Sequence, residues 1–270
     1  MSHLGLLPIS LVLLAMITIG VSYIIAVIRN DVSAAFPYIS DTGSERPESC
    51  IFGQFLNIAA FLAFCTMYVR YKAVEAIAHG SEDDPKLCRL NKCATFFGMV
   101  AALGVSMVAN FQEGTNVEIV HIIGAGLTFV PGVLYCLVQT ALSYHMFPSY
   151  NGSYICRIRL ALSVVSLLSL ILTIVAAVFA IHEWNSKEHT PDKFKWAPDD
   201  PGYAAHIVST SGEWVTAFTF LSFFFTYVQE FNKFELEIRT RPLVRHLDER
   251  VETRNRGEIN ERTKLLDPHI

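Results

Sequence analysis

Residues 6–28 read LLPISLVLLAMITIGVSYIIAVI, an unbroken apolar stretch without a charged side chain. A helix needs about 20 such residues to cross the hydrocarbon core of a bilayer. The stretch is long for the apolar segment of a signal peptide, and it lacks a clear small-residue cleavage site after a short core. It therefore predicts a first membrane-spanning helix rather than a leader that is removed.

The rest of the chain repeats this pattern. Including the first, the predicted spans are residues 6–28, 51–71, 90–111, 119–144, 158–181 and 205–231. Backbone polar groups have no water to bind in lipid, so each span is predicted to be a helix. The chain is 52% hydrophobic and 17% charged, against about 25% charged residues in soluble domains. The sequence predicts an all-α, polytopic membrane protein with six transmembrane helices in residues 1–231 and a polar, largely disordered tail over residues 232–270.

Positive charge predicts the orientation. Sixteen of the 21 Lys and Arg residues lie in the tail, or in the segments that join spans two and three and spans four and five together with the adjoining span ends, which carry Arg70 and Arg159. Cytosolic segments carry this excess, so both termini are predicted to be cytosolic and the other loops lumenal. The glycosylation pattern at Asn151 then falls on the cytosolic side and is predicted to stay bare. With a net charge of −4, no nucleic-acid partner is expected, and membrane lipids are.

Polar residues gather at the predicted lumenal face. His206 and Glu213 lie seven positions apart on one face of the sixth span, which places Glu213 roughly 10 Å deeper in the membrane. An ionisable side chain at such a depth is costly and is a candidate functional residue. The candidate lumenal cluster consists of Asp41, Glu48, Asn110, Glu113, His121, His206 and Glu213.

Three interpretations of this cluster remain open. It can be a hydrogen-bonded cap that orients loops and helix ends, a site for a lipid headgroup or small polar solute, or a metal-dependent or acid–base hydrolase. His121 and His206 with carboxylates could bind zinc, but no compact ligand motif such as HExxH is present. A single Asp41-Thr42-Gly43, without a second copy in a β-rich chain, does not indicate an aspartic protease. No cofactor, metal or confident catalytic residue is predicted.

The tail ends in a short sorting pattern. Glu261 is followed after three residues by Leu265 and Leu266. This is the acidic dileucine pattern, in which a carboxylate and two apolar anchors bind clathrin adaptors and direct cargo to endosomes and lysosomes. The pattern predicts clathrin adaptors as partners and the lysosomal or late-endosomal membrane as the location.

The motifs resemble those of the damage-regulated autophagy modulator (DRAM) family, over nearly the whole chain. The matching segments are PYISDTG (37–43), PE (47–48), IFG (51–53), YVRYK (68–72), VANFQ (108–112), Trp196…Pro198…Tyr203…His206, EW (213–214) and NERTKLL (260–266). The tail is similar to that of the family branch with a dileucine ending. The wider superfamily includes a secretory-pathway protein that acts in remodelling GPI-anchor lipids.

The resemblance implies a six-span lysosomal or late-endosomal protein that promotes autophagy, sometimes with effects on apoptosis. Autophagy or lysosomal membrane proteins are further possible partners. The family supplies no settled catalytic residues, so our leading hypothesis is a regulator without catalysis. A lipid-binding or lipid-remodelling enzyme that uses the lumenal cluster is the alternative. A small-solute transporter is less well supported, because no inverted repeat or broken mid-membrane helix is evident.

Overall fold

The computed structural model describes residues 3–80, 84–186, 188 and 192–237. Apart from one 3-10 turn at Asp41–Gly43, the elements in these residues are α-helices. They are α1 (Leu6–Ile28), α2 (Glu48–Gly80), α3 (Pro85–Asn110), α4 (Glu118–His145), α5 (Ser153–Ser186), α6 (Tyr203–Phe225) and α7 (Val228–Phe231). The predicted all-α membrane fold is confirmed.

Five of the described helices, α1 to α5, are long and apolar enough to cross a membrane. Their outer surface is apolar: Leu168, Ile171 and Val178 of α5 are each more than half exposed, which suits contact with lipid tails. The sixth helix has 23 residues, or about 34 Å. Three polar side chains of this helix, those of Ser209, Thr210 and Glu213, are buried. The crossing of α6 remains a prediction.

The helices pack in chain order, α1 on α2 through to α5 on α6, and α6 also contacts α1 and α4. Small residues allow the closest of these approaches. A Cβ on Gly104 of α3 would lie 2.5 Å from the backbone nitrogen of Thr128 in α4, and a Cβ on Gly124 would lie 2.8 Å from Cβ of Met107. The two helices therefore meet backbone to backbone, as small residues permit in lipid.

The helix bundle has two ends. We call the end that carries residues 29–47, 111–117 and 192–202 the loop end. The opposite end, where α1 begins and α7 ends, is the tail end. There the backbone nitrogen of Gly5 donates to Oδ1 of Asn232 at 3.1 Å. The start of α1 and the end of α7 therefore lie next to each other. Which end faces the cytosol remains a prediction.

Local capping sets two helix boundaries. Asp84 accepts hydrogen bonds from the backbone of Lys86 and Leu87 at 3.0 Å each and so caps α3, whose first residue is a proline. The span predicted as 205–231 is divided at Thr226. Arg159 contacts the hydroxyl of Thr226 at 3.0 Å and its carbonyl oxygen at 3.4 Å, which ties this turn to α5.

Candidate functional site

The first loop is docked onto α6 at the loop end by three hydrogen bonds. The hydroxyls of Tyr38 and Ser209 lie 2.8 Å apart. The backbone nitrogen of Ile39 donates to Oε2 of Glu213 at 3.3 Å, and the indole nitrogen of Trp214 donates to the Pro37 carbonyl at 2.8 Å. The first loop is therefore attached to α6 through its backbone as well as through its side chains.

A carboxylate cluster lies beside this loop. We define it as Asp41, Glu113 and Glu213 with His121 and Lys193. Ser40 donates to Oε2 of Glu113 at 2.9 Å, and Lys193 lies 3.7 Å from Oε1 of the same carboxylate. Lys193 is closer to Glu118, at 2.7 Å, so its charge is shared.

Asp41 is the most enclosed loop residue of the cluster. Its side chain is buried and its Oδ1 has no hydrogen-bond partner. Burial raises the pKa of Asp41 well above its ordinary value, and the neighbouring carboxylates of Glu113 and Glu213 raise that pKa further. Burial likewise raises the pKa of the Tyr38 phenol, so burial favours the neutral form of both groups.

The orientation of His121 can be read from its neighbours. Nδ1 lies 2.6 Å from the carbonyl oxygen of Phe111, which can only accept, so Nδ1 carries the proton. Nε2 lies 3.7 Å from Oε2 of Glu113, beyond hydrogen-bonding distance. The contact with Phe111 thus fixes the ring of His121 so that Nε2 faces Glu113.

The structure places the other candidate residues in different surroundings. His206 stacks on Trp196 with ring centroids 4.2 Å apart and meets the edge of Tyr38, so it packs among aromatic rings. Glu48 is fully buried and lies 3.9 Å from Nε of Arg29. Asn110 pairs with the side chain of Asn57, 3.0 Å away. Of the seven candidates, the structure thus brings together Asp41, Glu113, His121 and Glu213.

Among the described residues, no three His, Cys, Asp or Glu side chains are arranged to hold a metal ion. The carboxyl groups of the carboxylate cluster can accept hydrogen bonds and exchange protons.

A second buried polar group at the tail end was missed by the sequence reasoning. Arg70 and Arg159, interpreted there only as topological charges, are almost fully buried. Nη1 of Arg70 lies 2.6 Å from Oε2 of Glu230, and Nη2 of Arg159 lies 2.9 Å from Oε1. We call these three residues the tail-end triad. The sequence did contain an indication of this triad, because both arginines lie at the ends of apolar runs, where a charged side chain is costly.

Aromatic rings complete the surroundings of the triad. The guanidinium carbons of Arg70 and Arg159 lie 5.1 and 4.9 Å from the ring centre of Tyr227. The hydroxyl of Tyr227 contacts that of Tyr135 at 2.9 Å. Cation–π contacts of this kind offset part of the cost of burying two positive charges around one carboxylate.

Residues 3–234 match the family model of the Frag1/DRAM/Sfk1/Cwh43P N-terminal domain. The chain belongs to this family. The matched range contains both the carboxylate cluster and the tail-end triad. The resemblance to DRAM proteins is therefore confirmed at the level of the family.

Individual members of the Frag1/DRAM/Sfk1/Cwh43P family are similar over most of their length. The chain is 40% identical to human DNA damage-regulated autophagy modulator protein 2 over 270 residues, covering 99% of this chain and 97% of that protein. It is 42% identical to the mouse protein of the same name, covering 87% and 86%. Mouse DNA damage-regulated autophagy modulator protein 1 is 39% identical, covering 82% and 87%. No solved structure matches the chain significantly.

Proposed function

We propose that this protein is a lysosomal or late-endosomal multi-pass membrane protein that regulates autophagy without catalysing a reaction. The observation that carries the proposal is the similarity along almost the whole chain to proteins named autophagy modulators. That similarity includes all six long helices, so the membrane domain rather than an added module is the shared part.

The proposed orientation has the tail end in the cytosol and the loop end in the lumen. Two features support it. The hydrogen bond from Gly5 to Asn232 holds the start of α1 and the end of α7 at the same end of the bundle. Most Lys and Arg residues outside the spans lie at that end or in the tail, as the positive-inside rule expects for a cytosolic face.

Sorting is proposed to depend on Glu261, Leu265 and Leu266, which lie outside the described residues. Adaptor binding would use the acidic side chain and the two leucines of a cytosolic segment. Other partners, among them lysosomal or autophagy membrane proteins, are proposed to contact the helices.

A sorting experiment tests the location. Leu265→Ala with Leu266→Ala should move a tagged full-length protein from lysosomes to the cell surface, measured by surface biotinylation. The matched control is Leu243→Ala with Leu247→Ala, which changes two tail leucines outside the pattern. Unchanged lysosomal location of the first variant would refute the sorting proposal.

A separate experiment tests the regulation. Cells that lack the protein should show reduced autophagic flux during starvation, and the wild-type chain should restore it. Asp41→Asn, Glu113→Gln and Glu213→Gln discriminate the enzymatic alternative. If each abolishes rescue while expression and location stay normal, the carboxylate cluster is required for function, which favours the lipid-binding or lipid-remodelling alternative over a purely structural cap.

A further inference from the structure

The 3-10 turn of the first loop, Asp41–Gly43, lies at the loop end of the bundle and contacts α1 and α2. Thr42 of this turn is fully buried. The two residues before it, Ile39 and Ser40, line a cavity of about 120 Å³ between the helices. We call residues 39–43 the lid segment, because they close this cavity on the side of the first loop.

The residues that precede the lid segment are held by uncharged groups. The indole nitrogen of Trp214 donates to the Pro37 carbonyl at 2.8 Å, and the hydroxyls of Tyr38 and Ser209 lie 2.8 Å apart. Burial raises the pKa of the Tyr38 phenol, so neither contact changes its charge near neutral pH. Pro37 and Tyr38 therefore stay attached to α6 whatever the charge of the carboxyl groups nearby.

The lid segment itself is held by carboxyl groups. The backbone nitrogen of Ile39 donates to Oε2 of Glu213 at 3.3 Å, and the hydroxyl of Ser40 donates to Oε2 of Glu113 at 2.9 Å. The side chain of Asp41 is also next to Glu113, close enough for a hydrogen bond between the two carboxyl groups. Asp41 and Glu113 therefore join the first loop to the second loop, residues 111–117.

A hydrogen bond between two carboxyl groups requires a proton, because ionised carboxylates only accept. Two carboxylates that share a site repel each other, so one of them retains its proton to a higher pH. Asp41 is buried, and its Oδ1 has no hydrogen-bond partner among the described residues. Burial raises the pKa of Asp41 well above its ordinary value, and Glu113 and Glu213 raise that pKa further. The link between the two loops is therefore strongest at acidic pH.

The surrounding charges oppose full ionisation of this pair. The titratable groups that face it are Glu118 and His121 of α4, Glu213 of α6 and Lys193 of the third loop. Lys193 lies 3.7 Å from Glu113 but 2.7 Å from Glu118, so its positive charge is shared. Nε2 of His121 lies 3.7 Å from Glu113. When Asp41 and Glu113 are both ionised, acidic groups outnumber the ammonium group of Lys193, and like charges repel at short range.

We propose that Asp41 and Glu113 form a proton-dependent clasp, which keeps the lid segment closed over the cavity while the two carboxyl groups share a proton. When both groups are ionised, the lid segment opens about Pro37 and Tyr38. The contribution of the clasp is complete below the ordinary carboxyl pKa of about 3.9 and is lost as the pH rises toward the raised pKa of Asp41. This goes beyond the proposed function, because it concerns how the loop end responds to pH and not what the protein regulates.

Hydrogen–deuterium exchange of the purified full-length protein in detergent tests the clasp. The backbone amides of Ile39, Gly43 and Ser44 donate hydrogen bonds in the closed structure, so they are protected. Exchange is measured at pH 5 and pH 7.5 and expressed as protection relative to the intrinsic exchange rate at each pH. Peptides that contain the lid segment should be protected roughly tenfold more at pH 5. At pH 7.5 these peptides should exchange faster than the helix cores, since the lid segment opens without global unfolding.

Two neutral variants and one control locate the proton. Asp41→Asn and Glu113→Gln each supply an amide that donates to the remaining carboxylate, so protection of the lid segment should lose its pH dependence in both. Glu45→Gln removes an exposed carboxyl group from the same loop and should preserve the pH dependence.

Three results would overturn the proposal. The first is equal protection of the wild-type lid segment at pH 5 and pH 7.5. The second is protection of the lid segment equal to that of the helix cores at pH 7.5, which would mean that it opens only on global unfolding. The third is a pH dependence that survives in both Asp41→Asn and Glu113→Gln. The first two results come from the wild-type protein, so the test does not depend on the folding of a variant.

Discussion

Arg159 and Glu230 form an ion pair in which Nη2 lies 2.9 Å from Oε1, and Arg159 itself is inaccessible to solvent. The pair joins α5 to α7, next to the point where the chain leaves the helix bundle. Arg70 of α2 binds the other oxygen of the same carboxylate at 2.6 Å. One acidic side chain thus holds two buried arginines from two different spans, so the tail end depends on Glu230 more than on either arginine.

Removing that carboxylate should destabilise the protein strongly. Glu230→Gln leaves two buried guanidinium groups without an anion, and breaking such a pair costs about 3 kcal/mol or more. Arg70→Gln should lower the stability less, because the opposite charges of Arg159 and Glu230 still balance each other. The measurement is the thermal unfolding midpoint in detergent. Glu45→Gln, at an exposed position, is the control and should have almost no effect. Equal midpoints for Glu230→Gln and the control would contradict the role assigned to the triad.

Close packing of α3 on α4 gives a second prediction. Gly104→Ala introduces a Cβ that would lie 2.5 Å from the Thr128 backbone nitrogen, so the helices must separate. Such overpacking costs about 1–3 kcal/mol. Gly126→Ala on α4 is the matched control, since nothing lies within 4 Å of its Cβ position. We expect a lower unfolding midpoint for Gly104→Ala alone, and similar midpoints for the two variants would show that the contact is not tight.

The burial of Asp41 predicts a pH dependence. Because its pKa in the folded protein is raised, folding retains a proton that the unfolded chain releases at an ordinary pKa of about 3.9. Stability contributed by this group is therefore complete at low pH and is lost as pH rises from about 4 toward the folded pKa. The charged groups around it are Glu113, Glu213 and Lys193.

The experiment compares unfolding midpoints at pH 5 and pH 7.5. The wild type should be more stable at pH 5, the condition expected of a lysosomal lumen. Asp41→Asn mimics the protonated carboxyl and should reduce this difference, whereas Asp199→Asn at an exposed position should preserve it. If the unfolding midpoints of Asp41→Asn at pH 5 and pH 7.5 differ as much as those of the wild type, the pH dependence belongs to another group.

Asn151 supplies a test of orientation. Its side chain is buried at the tail end and donates to the carbonyl oxygen of Ser143 at 3.3 Å. With the tail end in the cytosol we expect no glycan on Asn151, measured as an unchanged electrophoretic mobility after glycosidase treatment. A mobility shift that Asn151→Gln abolishes would place this end in the lumen and invert the proposed topology.

Some of the candidate site could be foreseen from the sequence and some could not. Glu213 was recognisable as a candidate because a carboxyl group within a mostly apolar helix costs free energy, whichever helices pack around it. Its partner was not recognisable, since the backbone of Ile39 lies 174 residues away and no periodic pattern links the two. His206 shows the opposite case. Helical spacing predicts that it shares a face with Glu213, but that spacing could not predict the rings of Trp196 and Tyr38 that pack against it.

The sequence by itself determined that this is an α-helical membrane protein, through the long uncharged run at residues 6–28 and the later apolar runs. A backbone in lipid must satisfy its own hydrogen bonds, and that requirement acts on each segment alone. Only the tertiary structure decided which helices meet, and so which polar side chains share an environment. Arg70, Arg159 and Glu230 come from three separate segments, and the charge balance that joins them exists only once α2, α5 and α7 are packed together.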